Sequence, residues 1–315
     1  MTAFRDSVAL QWDHHAARFQ QTKLSQLSWS VNDFGTLFGA ILVERFRTYG
    51  GRLLDLSDHR NRLLYGAKTL NIETTEFEAR LESECQQLIE FNKELVEAAG
   101  DVSVVLLLSP GEFTADRSVG SRPTCMMHLS PLPFPKLACW YEFGVDLSLG
   151  SHRSVPGDCW PVQMKSRSRL PYLLSDSELQ RNRAGRIALL LTTRGTIADT
   201  SVANVLVVNA ANEIISPPKE DILVGCTLRA VERLLAKSHR TIEYRDVYPE
   251  ELGEAREVIL TGSSGGVWSA CSVDQNALPH SHRGRTVSML TKMWTEHVGI
   301  DFVRQSIEKA SASSS

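Results

Sequence analysis

No apolar run in the chain approaches the ~20 residues of a bilayer-spanning helix, so nothing in it reads as a membrane segment. A basic block is also missing. The 34 Lys and Arg stand against 37 Asp and Glu, for a formal net charge of -3, which removes the electrostatic footprint of a nucleic-acid partner. Six cysteines (Cys85, Cys125, Cys139, Cys159, Cys226 and Cys271) include no C-x-x-C pair. A chain of 315 residues needs no covalent staples, so free thiols in a reducing compartment are expected. The opening MTAFRDSVALQWDHHAARFQ lacks the apolar core of a signal peptide, and a soluble, cytoplasmic protein is the expectation. Several chemical signatures are absent too: G-x-x-x-x-G-K-[ST], G-x-S-x-G, H-E-x-x-H, and G-x-G-x-x-G after a strand. His14-His15, and His280 with His282, have no carboxylate or third histidine at ligand spacing. No metal is expected, and His14-His15 read as a solvated helix face. Asp33, Glu44 and Asp199 have no paired acid in sequence that would signal glycosidase chemistry.

What is present is ordinary globular composition, 42% apolar and 23% charged, in a chain longer than one core usually fills. Two mixed α/β domains follow. AILVERFRTYGG predicts a strand ending in a Gly50-Gly51 turn, with RLLDL returning and Ser57 as the cap of the next helix. Residues 74–99 predict one amphipathic helix, with Phe77, Leu81, Leu88 and Leu95 near helical spacing and Gly100 as its stop. VSVVLLLSPG predicts a strand buried on both faces. SPLPFPK, with three prolines in five positions, predicts a linker. Beyond it, RIALLLTTRGTIADTSVANVLVVNAANEII alternates strands with turns at Arg194-Gly195 and Ala211-Asn212. TLRAVERLLAKS is a helix, EVILTG a strand and GRTVSMLTKMWTEHV a helix; the tail KASASSS reads as disordered.

Three fragments carry candidate chemistry. TGSSGGV (Thr261–Val267) follows an apolar strand, and its small residues let backbone N–H groups approach an anion while Ser263 and Ser264 add hydroxyls. LVGCTLRAVERLL opens a helix at Cys226 and Thr227, where free N–H groups and the dipole favour an anion. PVQMKSRSRL holds Lys165 between Met164 and the Ser166-Arg167 step; most lysines are simply solvated, and the fragment alone leaves both readings open.

The order of the fragments is informative. From about Asp33 to about Thr291 the chain resembles the class IV (fold-type IV) pyridoxal-phosphate enzymes: branched-chain aminotransferases, D-amino-acid aminotransferases and aminodeoxychorismate lyases. DFGTLFGAILVERFRTYGGRLLDLSDHRNRL resembles the family's opening hairpin and its His-x-x-Arg-Leu helix, here His59, Arg62 and Leu63. MKS resembles the Schiff-base lysine site. GTIADTSVANVLVV is similar to the Gly-x-(Val/Ile)-x-Glu-x-x-x-x-Asn turn, and ILVGCTLRAV and EVILTGSSGGVWSACSVD resemble the phosphate-holding helix start and turn.

The resemblance implies a two-domain fold-type IV enzyme: a small N-terminal α/β domain over residues 1–133, a linker at 134–141, a large cofactor-binding domain with mixed sheets at 142–302, and a tail at 303–315. It implies pyridoxal 5'-phosphate on Lys165, its phosphate held by Arg62, Cys226, Thr227, Ser263 and Ser264, and its pyridine nitrogen paired with Asp199. Aspartate stands there where the family has glutamate, one methylene longer. Leu170 stands where aminotransferases of the family often have tyrosine, five residues after the lysine, and in this KSRSRL is closer to the lyases. Pro110 stands near where the D-amino-acid enzymes have a substrate-binding arginine, and Leu228 replaces the helix-opening arginine. The implied activity is transfer of an amino group between an amino acid, branched-chain among the candidates, and a 2-oxo acid in a homodimer. A lyase releasing pyruvate, or a non-catalytic binding protein, are the alternatives.

Overall fold

The computed structural model describes residues 2–113, 120, 122–182, 185–279 and 284–312. The chain divides into two compact units, Met1–Leu132 with Met164–Ser168, and Pro133–Gln163 with Arg169–Ser315. The first contains α1 (Thr2–Arg5), β1 (Val8–Asp13), β2 (Arg18–Lys23), α2 (Phe34–Phe38), β3 (Leu42–Tyr49), β4 (Arg52–Leu53) and α3 (Leu56–Thr69). It continues through α4 (Leu81–Phe91), α5 (Lys93–Ala99), β5 (Val102–Ser109) and β6 (Thr124–Pro131). Its strands form one antiparallel sheet in the order β2-β1-β6-β5-β3-β4. The apolar run Val102–Ser109 takes a central place and is buried except at half-buried Leu107, as a strand covered on both faces must be. α3 packs on β3, and α4 on β1 and β6. Buried Asp101 closes the β3–β4 hairpin, accepting from Thr48 Oγ1 (2.6 Å) and from the N–H groups of Gly50 and Gly51 (both 3.0 Å).

Local expectations fail in the first unit where a distant partner intervenes. The helix predicted over 74–99 is two helices broken at Asn92. Its side chain is bonded to β1 instead: Oδ1 accepts from Val8 N (2.8 Å) and Nδ2 donates to Val8 O (3.0 Å). Asp55, at φ 53°, rather than Ser57, precedes α3, and only Arg52–Leu53 of RLLDL pairs as a strand. His14-His15 lie in the turn between β1 and β2, not on a helix, and His14 Nε2 bonds Pro123 O at 2.9 Å.

The second unit contains α6 (Phe134–Phe143), β7 (Val145–Arg153), α7 (Leu170–Asn182), β8 (Ile187–Leu191), β9 (Ile197–Thr200), β10 (Asn204–Val208), β11 (Ile214–Ser216) and α8 (Cys226–Lys237). It ends with β12 (Ile242–Tyr244), α9 (Pro249–Glu254), β13 (Glu257–Gly262), β14 (Gly266–Val273), β15 (Asn276–Ala277), α10 (Arg285–Val298) and α11 (Phe302–Ala312). The mixed sheet runs β12-β11-β10-β13-β14-β7-β8-β9, with β15 on β14. Pairs β11–β12, β14–β7 and β7–β8 are parallel. Its core is aliphatic, Leu147, Leu189, Val205, Val258 and Leu260 among others, with Trp268.

Two expectations need correction here. The proline-rich stretch is no open linker: Ser130–Pro131 end β6 and Phe134 begins α6, with proline in the first turn, where a missing N–H costs nothing. Residues 302–312 are helical rather than disordered, because Phe302 and Ser306 are buried on one side of α11. His280 and His282 lie outside the described residues.

Candidate active site

Lys165 belongs to the first unit by its backbone. The outer edge of β3 beyond the short β4 has open N–H and C=O groups, and residues 165–167 fill them. Val43 N donates to Lys165 O (3.0 Å), Arg167 N donates to Ile41 O (2.8 Å), and Ser166 sits opposite Leu42. Ser168 Oγ adds a bond to Gly39 O (2.8 Å), and a Cβ on Gly39 would fall 2.5 Å from that hydroxyl, so this approach requires glycine. The segment alternates as a strand does: Met164 and Ser166 are buried, Lys165 is half-buried and Arg167 exposed.

Close by is a buried charge cluster. Glu44, 1% exposed, accepts from Arg62 Nε (2.8 Å) and Nη2 (2.7 Å), and its Oε2 lies 2.6 Å from His59 Nδ1. Burial alone would raise the Glu44 carboxyl. The charges of Arg62 and Lys165, with hydrogen bonds from Arg62 and His59, outweigh it and hold Glu44 well below the usual carboxylate range. Burial lowers His59 despite the pull of Glu44. The imidazole is therefore neutral at pH 7, with Nδ1–H donating to the carboxylate. So Arg62, expected at a cofactor phosphate, has two of its nitrogens engaged by Glu44, a residue that looked unpaired in sequence.

The other expected site residues lie in the second unit. Asp199, buried on β9, accepts from Tyr172 Oη of α7 at 2.6 Å. Arg169 stacks over the Tyr172 ring (4.2 Å to its centroid) and donates to Ser201 O (3.0 Å). Burial pushes the Asp199 carboxyl up to about 6, against the downward pull of the Tyr172 hydroxyl, the Arg169 charge and a backbone hydrogen bond at Leu223. The same burial, with Asp199 beside it, keeps the Tyr172 phenol protonated.

Asn204 joins the two candidate anion cradles. It pairs with Thr261 in the β10–β13 ladder, just before the Ser263–Gly265 turn. Its side chain accepts from Gly225 N (3.0 Å) and donates to Leu223 O (2.8 Å), fixing the start of α8. A Cβ at Gly225 would come 2.5 Å from Asn204 Oδ1, so the backbone reaches this position only as glycine. Cys226 and Thr227 are buried in the first turn of α8, Ser263 and Ser264 half-buried. Among the described residues no side chain caps α8, and Thr261 Oγ1 is buried without a hydrogen-bond partner. Backbone donors at a helix start, hydroxyls and an unmet buried oxygen make a donor set that fits a phosphate ester.

A family model for amino-transferase class IV matches residues 41–273, most of the chain. The chain belongs to the class IV aminotransferases. A Methanocaldococcus jannaschii protein named as a branched-chain-amino-acid aminotransferase is 24% identical over 268 residues, 85% of this chain and 90% of that one. The D-alanine aminotransferase of Bacillus licheniformis is 24% identical over 251 residues, 79% and 84% of the two chains. The branched-chain amino acid aminotransferase of Escherichia coli shares the fold, with a TM-score of 0.77 at 17% identity over 91% of this chain and 93% of its own. This class IV aminotransferase thus has the fold-type IV architecture, and its family implies pyridoxal phosphate.

Sequence reasoning missed Glu44 and Tyr172. Glu44 alternates with Leu42 and Phe46 on one face of β3, but nothing local couples it to a helix residue 18 positions on. Tyr172 escapes a motif comparison because the family's tyrosine position falls at Leu170, two residues earlier. Its place in the first turn of α7, three residues after Arg169, on the helix that leads into the β8–β9 pair, is the signal that could have found it.

Proposed function

We propose that this chain is a pyridoxal-phosphate-dependent aminotransferase that exchanges an amino group between an amino acid, branched-chain ones included, and a 2-oxo acid. Lys165 is the amine that takes the cofactor aldehyde. The observation that carries the reading is the pinned Lys165 backbone on the edge of β3, beside an ionised Glu44. When bound, pyridoxal phosphate supplies the electron sink that makes an amino acid's Cα proton removable. Arg62, the N–H groups of Cys226 and Thr227, and the hydroxyls of Ser263 and Ser264 would hold its phosphate. Asp199 would hold a proton on the ring nitrogen. Lys165 Nζ, in its neutral amine form, would take the proton from substrate Cα and return it. The enzyme works as a cytoplasmic homodimer in this reading, supported by family membership and by six free cysteines, which suit a reducing compartment.

The test is chemical. Purified protein shows a visible absorbance band, borohydride abolishes it, and the fixed cofactor maps to the peptide carrying Lys165. Lys165→Ala shows neither, and Lys165→Arg fails as well because a guanidinium cannot lose its proton to attack an aldehyde. Cofactor fixed to another lysine in Lys165→Ala would overturn the assignment. A donor panel names the amino acid, and pyruvate release without amino transfer would mean lyase chemistry instead.

A further inference from the structure

Asp199 faces α7 because β9 carries one residue more than its partner strand. On β8, Leu189 and Leu191 are two positions apart, whereas their partners on β9, Thr200 and Ile197, are three apart. Ala198 and Asp199 therefore oppose Leu190 together, as in a β-bulge, which re-aims the side chains it displaces. Leu189, Leu191 and Ile197 stay in the main aliphatic core of the unit. Ala188 and Leu190 take the other face of β8, where Leu179 and the Tyr172 ring of α7 pack on them. In a regular strand Asp199 would share the face of Ile197, two positions away, and enter the aliphatic core. The bulge instead delivers it to the Tyr172 hydroxyl at 2.6 Å.

The phenol is itself clamped. Tyr172 lies in the first turn of α7, and Arg169, three residues earlier, lays its guanidinium over the ring, 4.2 Å from the centroid. The far end of Arg169 donates to Ser201 O (3.0 Å). That carbonyl belongs to a locked turn. Thr200 Oγ1 accepts from Val202 N (3.2 Å) and Ala203 N (2.9 Å), and Thr200 N donates to Ala203 O (3.0 Å). Helix, strand and turn together hold the hydroxyl on the carboxylate.

This arrangement sets the charge on Asp199. Burial favours the neutral acid, while the Tyr172 hydroxyl, the Arg169 charge and a backbone hydrogen bond at Leu223 favour the anion; among the described residues no other charge enters. The balance leaves the carboxyl at about 6, roughly ten ionised copies for each neutral one at pH 7. A hydrogen bond to a charged acceptor changes proton affinity by about 10- to 100-fold. Without the Tyr172 hydroxyl, half or more of the carboxyl would be neutral at the same pH. An apolar pair of the same shape would burden the fold less than a buried acid and phenol do.

We propose that Tyr172, clamped by Arg169, is a positioning residue that holds Asp199 as the anionic partner of the cofactor's ring nitrogen. The inference rests on the aminotransferase reading and deepens it by naming what keeps the electron sink charged. Asp199 leaves a proton on the ring only while it is the weaker base of the two. Losing the phenol's hydrogen bond makes it a stronger base and draws that proton onto the carboxylate.

Two NMR signals of the full-length chain test this. In cofactor-free protein isotopically labelled at its aspartate carboxyl carbons, the signal that Asp199→Asn removes titrates near pH 6. Tyr172→Phe, which removes one hydroxyl and keeps the ring, moves that midpoint up by about one pH unit or more. Arg169→Gln moves it up as well, and Arg169→Lys, which keeps the charge, moves it less. In holoenzyme carrying pyridoxal phosphate labelled at the ring nitrogen, the wild-type nitrogen signal lies at the protonated position. In Tyr172→Phe it shifts towards the neutral one, and kcat falls by about 10-fold while substrate KM changes little. A purely structural tyrosine would move neither signal. A carboxyl midpoint unmoved by both Tyr172→Phe and Arg169→Gln would overturn the proposal, as would a ring-nitrogen signal identical in wild type, Tyr172→Phe and Asp199→Asn. Should Tyr172→Phe fail to fold, Arg169→Gln decides on the same two signals. If amino groups are transferred while the midpoint stays in place, the proposal falls and the aminotransferase reading stands. If the midpoint moves but the chain binds no pyridoxal phosphate, the aminotransferase reading falls and takes the ring-nitrogen role with it, while the hold of Tyr172 on Asp199 stands.

Discussion

Asp199→Asn should raise stability and lower activity, and both effects follow from one buried carboxyl. Asp199 titrates near 6 in the fold, because burial outweighs Tyr172, Arg169 and the backbone, against 3.8 for the free side chain. A carboxyl raised by folding binds its proton more tightly in the native state. Its contribution is therefore fully present below about pH 4 and is lost as pH rises through about 6. Two pH units at ~1.36 kcal/mol each make that contribution about 3 kcal/mol. Asparagine carries no charge to desolvate and keeps an oxygen to accept from Tyr172. In cofactor-free protein the variant should match wild type near pH 4 and gain about 3 kcal/mol on it by pH 8, on the order of 5 °C in Tm. Thermal unfolding of both proteins across that range measures the difference, which should bend near pH 6. A difference that stays flat with pH would refute the reasoning. In the loaded enzyme a neutral amide cannot hold a proton on the ring nitrogen, and amino transfer should fall by about 10²-fold or more.

Glu44→Gln should cost about 3–5 kcal/mol, since it leaves Arg62 buried without its counter-charge; calorimetric unfolding checks it, and the double variant with Arg62→Met should recover most of the loss. Light scattering should give about twice the 35.1 kDa chain mass at working concentration, and a single species at the chain mass would count against the homodimer.

Much of the fold is legible because it is written in local patterns. β5 is a continuous apolar run, α8 and α10 keep a helical period, and Gly50-Gly51 and Gly100 end their elements as turn chemistry requires. What failed were the places where a side chain leaves its own element. Asn92 has an unremarkable helical neighbourhood, and the break there exists only because β1 lies within reach of its amide. The residues 130–136 look like a linker by proline count, yet each proline falls where a strand or helix end spares it. α11 looks like a tail until Phe302 finds a buried place.

The candidate site divides in the same way. Lys165, Asp199, the start of α8 and the Ser263–Ser264 turn sit in short motifs whose order along the chain resembles a family, and one-dimensional spacing suffices for that. Which of them is charged could not be read from spacing. Glu44 is ionised because Arg62 and Lys165 surround it, and Asp199 is held near neutrality's edge because burial exceeds what Tyr172 and Arg169 return. Sequence settled which chemical groups the chain possesses and the local elements that carry them. Burial and long-range pairing, which depend on residues far apart meeting in three dimensions, decided what those groups are at neutral pH and which of them stand together.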